Sequence, residues 1–124
     1  MNQPSQTTNA ACNSLVISAA KACLVYGSFV NGTGQTVTMV LHDAPAVPSL
    51  GSYAGQQAIV SPPIPAGGTW SPTQVGSTLA PVFNYGISFA AYPMTGPAGL
   101  QNPNFGALVS PASVAVTAWA APLQ

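Results

Sequence analysis

The sequence predicts an all-β fold: a two-sheet antiparallel β-sandwich, jelly-roll-like, with a flexible N-terminal arm. Three observations point there. Apolar residues fall in short β-branched or alternating runs, such as Leu15-Val16-Ile17 and the stretch Ser113 to Ala120. Those runs are cut by turn-forming residues, 12 Gly and 13 Pro in 124 residues. No segment combines a 3.6-residue apolar period with a helix cap.

Residues 1–11 are polar, uncharged and without period. They read as an arm with too little apolar content to pack by itself, ordering only against another chain. Residues 12–124 form one sandwich domain. Within it, Leu15 to Ile17 is a first short strand. Ala22 to Val30 and Thr36 to Leu41 follow, separated by Asn31-Gly32-Thr33-Gly34. Asn-Gly between two apolar alternating runs predicts a hairpin over 22–31 and 35–43. A loop centred on Thr33 sets Phe29 opposite Val37, Gly27 opposite Met39 and Val25 opposite Leu41. One face is then apolar, and the other carries Tyr26, Ser28 and Val30 against Val40, Thr38 and Thr36. The same register makes Lys21 a diagonal neighbour of Asp43, within reach of a long side chain at about 7–8 Å.

Residues 44–57, with Pro45, Pro48, Gly51 and Gly55, form a long loop. Ala58 to Val60 is a short strand. Pro62-Pro63-Ile64-Pro65 is extended, because each proline restricts the residue before it. Ala66-Gly67-Gly68 turns the chain into an extended Thr69-Trp70-Ser71. Val75 to Pro81 is irregular, and Val82 to Tyr92 alternates as a strand. Pro93 to Asn104 is a second long loop. Phe105 to Val109 and Ser113 to Ala120 complete about seven or eight strands.

Charge narrows the function. Lys21 and Asp43 are the whole charged set, and His42 is the one histidine. One carboxylate side chain excludes paired-carboxylate catalysis. One lysine cannot neutralise the several phosphates that nucleic-acid binding requires. The longest nearly apolar stretch, Leu15 to Val30, contains Lys21 and is shorter than the roughly 20 residues of a spanning helix. We therefore expect neither nucleic acid nor membrane as a partner. Met1 to Asn9 lacks the basic start of a signal peptide, so synthesis in the cytoplasm is expected.

The candidate sites are few. His42 and Asp43 are adjacent, so on a strand they point to opposite faces and cannot act on one atom. With no second base and no activated nucleophile, no catalytic residue is assigned, and the chain is not expected to be an enzyme. Cys12, Cys23 and His42 are too few for a metal site, so no metal or other cofactor is expected. The two thiols are read as free rather than bonded. Asn31-Gly32-Thr33 matches a glycosylation sequon, but it reads as a turn. Trp70, Phe83, Tyr85, Phe89, Tyr92 and Trp119 could build a sugar platform; core or inter-subunit packing is the expected role.

From Ala22 to Tyr92 the chain has a recognisable order. Leu24-Val25-Tyr26-Gly27-Ser28-Phe29-Val30-Asn31 precedes a glycine loop and a strand ending in Leu41-His42-Asp43-Ala44-Pro45. Ile64-Pro65-Ala66-Gly67-Gly68-Thr69 and Phe83-Asn84-Tyr85-Gly86-Ile87-Ser88-Phe89-Ala90 follow. This order resembles small β-sandwich virion proteins of tailed bacteriophages. The resemblance implies a structural protein on the virion that decorates or cements the capsid, with the major capsid protein or other virion proteins as partners. It also implies self-association, as a trimer. The low charge and the long loops 44–57 and 93–104 depart from that family's pattern. Two alternatives stand beside it: a tail, neck or head-fibre component with a carbohydrate or host-attachment role, and a subunit of an extracellular bacterial filament. A neutral surface rich in Ala, Val, Pro and Gly agrees with a life in contact with other proteins.

Overall fold

The computed structural model describes residues 5–48, 57–72, 81–97 and 100–123. Among them the regular structure is all strand: β1 (Ser5–Cys12), β2 (Ser14–Ser18), β3 (Ala22–Asn31), β4 (Val37–Asp43), β5 (Gln57–Val60), β6 (Thr69–Trp70), β7 (Val82–Phe83), β8 (Ile87–Thr95), β9 (Asn102–Pro103) and β10 (Val114–Pro122). They form two antiparallel sheets packed face to face, the expected sandwich. The first sheet runs β1-β10-β3-β6, and β7 shares the same edge of β3 as β6. The second runs β2-β8-β4-β5, with β9 beside the far end of β8.

Alternation fills the space between the sheets. Leu24 and Phe29 of β3 and Val114, Val116 and Ala118 of β10 face Val37, Met39 and Leu41 of β4 and Ile87, Phe89 and Ala91 of β8; all are buried in one cluster. Phe29 links the two walls, stacked on Phe89 at 4.6 Å between ring centroids and tilted against Trp70 at 5.5 Å. One extra residue, Val25, interrupts the β3–β10 ladder: Leu24 pairs with Ala120 and Tyr26 with Trp119. This bulge resets the alternation, so Leu24 and Phe29 both point inward although five positions apart.

The expected hairpin is not formed. β3 lies in the first sheet and β4 in the second, so the loop at 31–36 crosses between sheets. Phe29, Val37, Met39 and Leu41 do share one apolar core, but from opposite walls. Residues that face each other across a core give the same pattern as residues side by side on one sheet face, so apolar segregation alone could not separate the two. Local chemistry decides for the crossing. Asn31, fully buried, donates its amide to the carbonyls of Gln35, Ile64 and Pro65 at 2.8, 3.0 and 3.1 Å. Its Oδ1 accepts from the Thr33 backbone N–H and hydroxyl at 3.0 and 2.6 Å. The loop is thereby tied to the 64–68 turn, where Gly67 takes a positive φ of 80°.

The expected N-terminal arm is also corrected. From Ser5 it is a strand that pairs residue for residue with β10, Ser5 with Ala120 through Asn9 with Val116. It orders against its own chain, so position 12 is no boundary. A strand held by ladder hydrogen bonds at a sheet edge needs little apolar side chain, which is why β1 reads as polar and structureless. Two smaller differences lie near the C-terminus. β8 continues past Tyr92 to Thr95, and β9 pairs with it inside the expected 93–104 loop. Residues 105–109 are turn and coil rather than strand. Most of the 44–57 loop and of the 75–81 stretch lies outside the described residues.

Candidate functional site

Two sheets give two outer faces, and they differ in cover. On the second sheet, Thr38, Val40 and His42 of β4 point outward beside Tyr92, Ala90 and Ser88 of β8, in that cross-strand order. All six are buried. Val47, Phe105 and Leu108 pack over Val40, Ala90 and Tyr92 as a second, smaller core. Backbone contacts anchor this cover: Val109 N–H donates to Ala91 O at 2.9 Å, and Ser88 Oγ donates to Ala44 O at 2.8 Å. Gly86 lets the strands converge there, because a Cβ on it would lie 2.7 Å from both Ala44 O and the Pro45 Cα.

His42 sits at the bottom of this cover, completely buried. Its Nε2 is 2.9 Å from the Tyr92 hydroxyl. Tyr92 is opposite Thr38, so its ring must pass over the Val40–Ala90 rung to reach His42; the small Ala90 leaves the room. Phe105 holds the other side of that ring edge-on at 5.1 Å. His42 Nδ1 has no hydrogen-bond partner among the described residues. A charged imidazole would carry N–H groups on both nitrogens and leave one unsatisfied, and burial lowers the His42 pKa from its ordinary value. His42 therefore works as a neutral packing and hydrogen-bonding group.

The other sequence candidates are not brought together. Asp43 Oδ1 accepts the Tyr85 backbone N–H at 2.8 Å, and Lys21 and Asp43 form no ion pair, because the hairpin that would join them is absent. Cys12 and Cys23 are free, as expected, although the reason differs: their strands pair with β10 from opposite sides. Burial raises the Cys12 pKa, which leaves less of that thiol as the reactive thiolate. Among the described residues no three His, Cys, Asp or Glu side chains cluster as a metal site would need. Asn31, the sequon residue, is fully buried with its amide in use. Of the six aromatics, Trp70, Phe83, Phe89 and Tyr92 are core, and Tyr85 and Trp119 are exposed.

The outer face of the first sheet is bare among the described residues. Trp119 is 38% exposed and stands beside Tyr26, 45% exposed, with Gln6 on its other side in the same rung. The next rung is Thr8, Thr117 and Ser28. Val25, Val30, Val82 and Leu123 are also exposed, and Lys21 and Asp43 contribute nothing to these rungs. Tyr26 and Val30 belong to the mixed side of the alternation already legible in β3. What joins them to Trp119 is a pairing between residues about ninety positions apart in sequence, which no local signal carries. The arrangement is uncharged and amphipathic, the composition of a contact surface. No helix of the described chain is long and apolar enough to cross a membrane. No family model, curated protein or solved structure matches the chain.

Proposed function

We propose that this chain is a structural virion protein of a tailed bacteriophage, decorating or cementing the capsid through protein–protein contacts. The observation that carries the contact role is the outer face of the first sheet, where Tyr26, Val30, Val82 and Trp119 are exposed and no loop among the described residues covers them. The resemblance of residues 22–92 supplies the setting, with the major capsid protein or another virion protein as partner. No catalytic step is assigned.

Such contacts are apolar and hydrogen-bonded. Their strength should be unchanged by sodium chloride, which screens charges, and increased by sulfate, which favours apolar burial. The test is made on purified particles of the phage that encodes the chain. The expected result is the chain at regular lattice positions, retained through a sodium chloride series and lost when Trp119→Lys is introduced. Absence from the particles, or release by moderate salt, overturns the proposal.

A second reading is favoured by one observation. Trp119 and Tyr26 beside Gln6, Thr8 and Ser28 offer ring faces next to amide and hydroxyl groups, the chemistry that a neutral sugar needs. That would suit a tail, neck or head-fibre component in host attachment. A glycan array separates the two: bound glycans lost on Trp119→Ala support attachment, and no binding leaves the capsid role. No specific observation favours the filament reading, and the Cys12–Cys23 bond that would accompany a secretion route is not formed.

A further inference from the structure

The remaining unpartnered feature is an edge, and it differs from every other edge of the two sheets. β6 and β7 have two residues each, and β7 directly follows Pro81. β9 has two and includes Pro103. β5 has four and runs into Pro62-Pro63. β2 has five, with a register shift between Val16 and Ser18. Short length, proline and bulges are the devices that keep sheet edges from pairing with other chains. β1 has such devices only at its two ends, Pro4 before Ser5 and a register shift between Asn9 and Cys12; between them five residues, Ser5 to Asn9, run in unbroken register with β10 without charge or proline, the longest such run on any of these edges. In an antiparallel ladder, alternate residues turn their N–H and C=O groups away from the partner strand. Those groups on β1 have no partner among the described residues, and its side chains there are Ser, Gln, Thr, Thr and Asn.

We propose that β1 is a self-pairing edge, at which two copies of the chain join antiparallel into one continuous sheet. The occupant is a second copy because the segment fits itself. Centring the twofold axis on Thr7 lets all five regular residues pair at once: Thr7 meets Thr7, Gln6 meets Thr8, and Ser5 meets Asn9. No like charges oppose, and Gln and Thr lie across from each other on the exposed face. The first sheets then join in the order β6-β3-β10-β1-β1-β10-β3-β6, and the free edge disappears. This inference goes beyond the proposed function and does not depend on it. It uses the edge of the first sheet rather than its face, and it gives a twofold contact rather than the trimer that the resemblance implies.

The test uses the full chain in sedimentation velocity over a concentration series. Wild type should show a monomer–dimer equilibrium. Gln6→Lys/Thr8→Lys places like charges opposite one another twice at exposed positions, and should weaken the dimer about tenfold or more while far-ultraviolet circular dichroism stays unchanged. Gln6→Glu/Thr8→Glu should weaken it similarly. Mixing the two variants should restore association as a heterodimer. A wild-type monomer throughout the series, a dimer that the lysine variant leaves intact, or a mixture that fails to associate would each overturn the proposal. Glycan or particle binding is not read in this experiment, so its failure is separate from failure of the functional reading.

Discussion

On the second sheet Val40, Ala90 and Tyr92 lie under Val47, Phe105 and Leu108, whereas on the first Tyr26, Val30 and Trp119 face solvent. Both faces carry aromatic and β-branched residues on alternating strands. Alternation only assigns a side chain to one side of a sheet; it does not say whether that side is covered. Cover comes from loops elsewhere in the chain, and among the described residues Val47, Phe105 and Leu108 supply it to the second sheet. The covered face is part of the protein's own stability. The bare face contributes less to it, and under the proposed function it is the surface that meets a partner.

The comparison breaks most readily at Tyr92. Replacing Tyr92 with Ala removes the ring between His42 and Phe105, and should destabilise the fold by about 3–5 kcal/mol in urea denaturation. Tyr92→Phe keeps the ring and takes away the hydroxyl from His42, for a cost of about 1–3 kcal/mol. If Tyr92→Ala costs no more than a surface substitution, the second face is not a core.

Asn31 tests the crossing that holds the two sheets in place. Asn31→Ala leaves the buried Thr33 N–H without its acceptor and takes one of two donors from the carbonyls of Ile64 and Pro65, which keep the Val37 and Gly68 N–H groups, and should cost about 1–3 kcal/mol by thermal or urea unfolding. Asn31 should also carry no glycan when the folded chain is exposed to glycosylation machinery, checked by intact mass.

The covered face should also respond to acid. Burial holds the His42 pKa below that of the unfolded chain, about 6.5, so the folded state keeps the neutral ring. Below that pH the unfolded chain takes up the proton first, and it binds more protons than the fold does. The stability is complete above about pH 6.5 and falls as the pH is lowered through that value toward the folded pKa. Denaturation midpoints between pH 7 and pH 5 should show the decline, and His42→Gln should flatten it. An equal slope in that variant would place the acid sensitivity elsewhere.

The smallest effect on stability is expected on the bare face. Tyr26→Ser and Trp119→Ser should each change unfolding free energy by less than about 1 kcal/mol. Their effect should appear in association instead.

The same contrast governs what was legible in the sequence. The stretches that became β2, β3, β4, β5, β6, β8 and β10 were visible, because each buries at least one side and carries its own period or turn. β1 was not, since its strand character comes from pairing with β10 across the chain rather than from its own residues. The hairpin was misplaced because Phe29 and Met39 look alike whether they are adjacent or opposed. His42 and Asp43 were rightly placed on opposite sides of a strand, but nothing local showed that the His42 side is covered. Phe105 and Leu108, which help to cover it, sit in a segment that alternates like a strand and is not one.

The central claim is that the bare face of the first sheet is the working surface. Hydroxyl-radical footprinting of the chain, free and then bound in purified particles, tests it most directly. Free chain should label at Tyr26, Trp119 and Tyr85, all exposed. Bound chain should lose labelling at Tyr26 and Trp119 and keep it at Tyr85. Tyr26 and Trp119 labelled equally in both states would contradict the account.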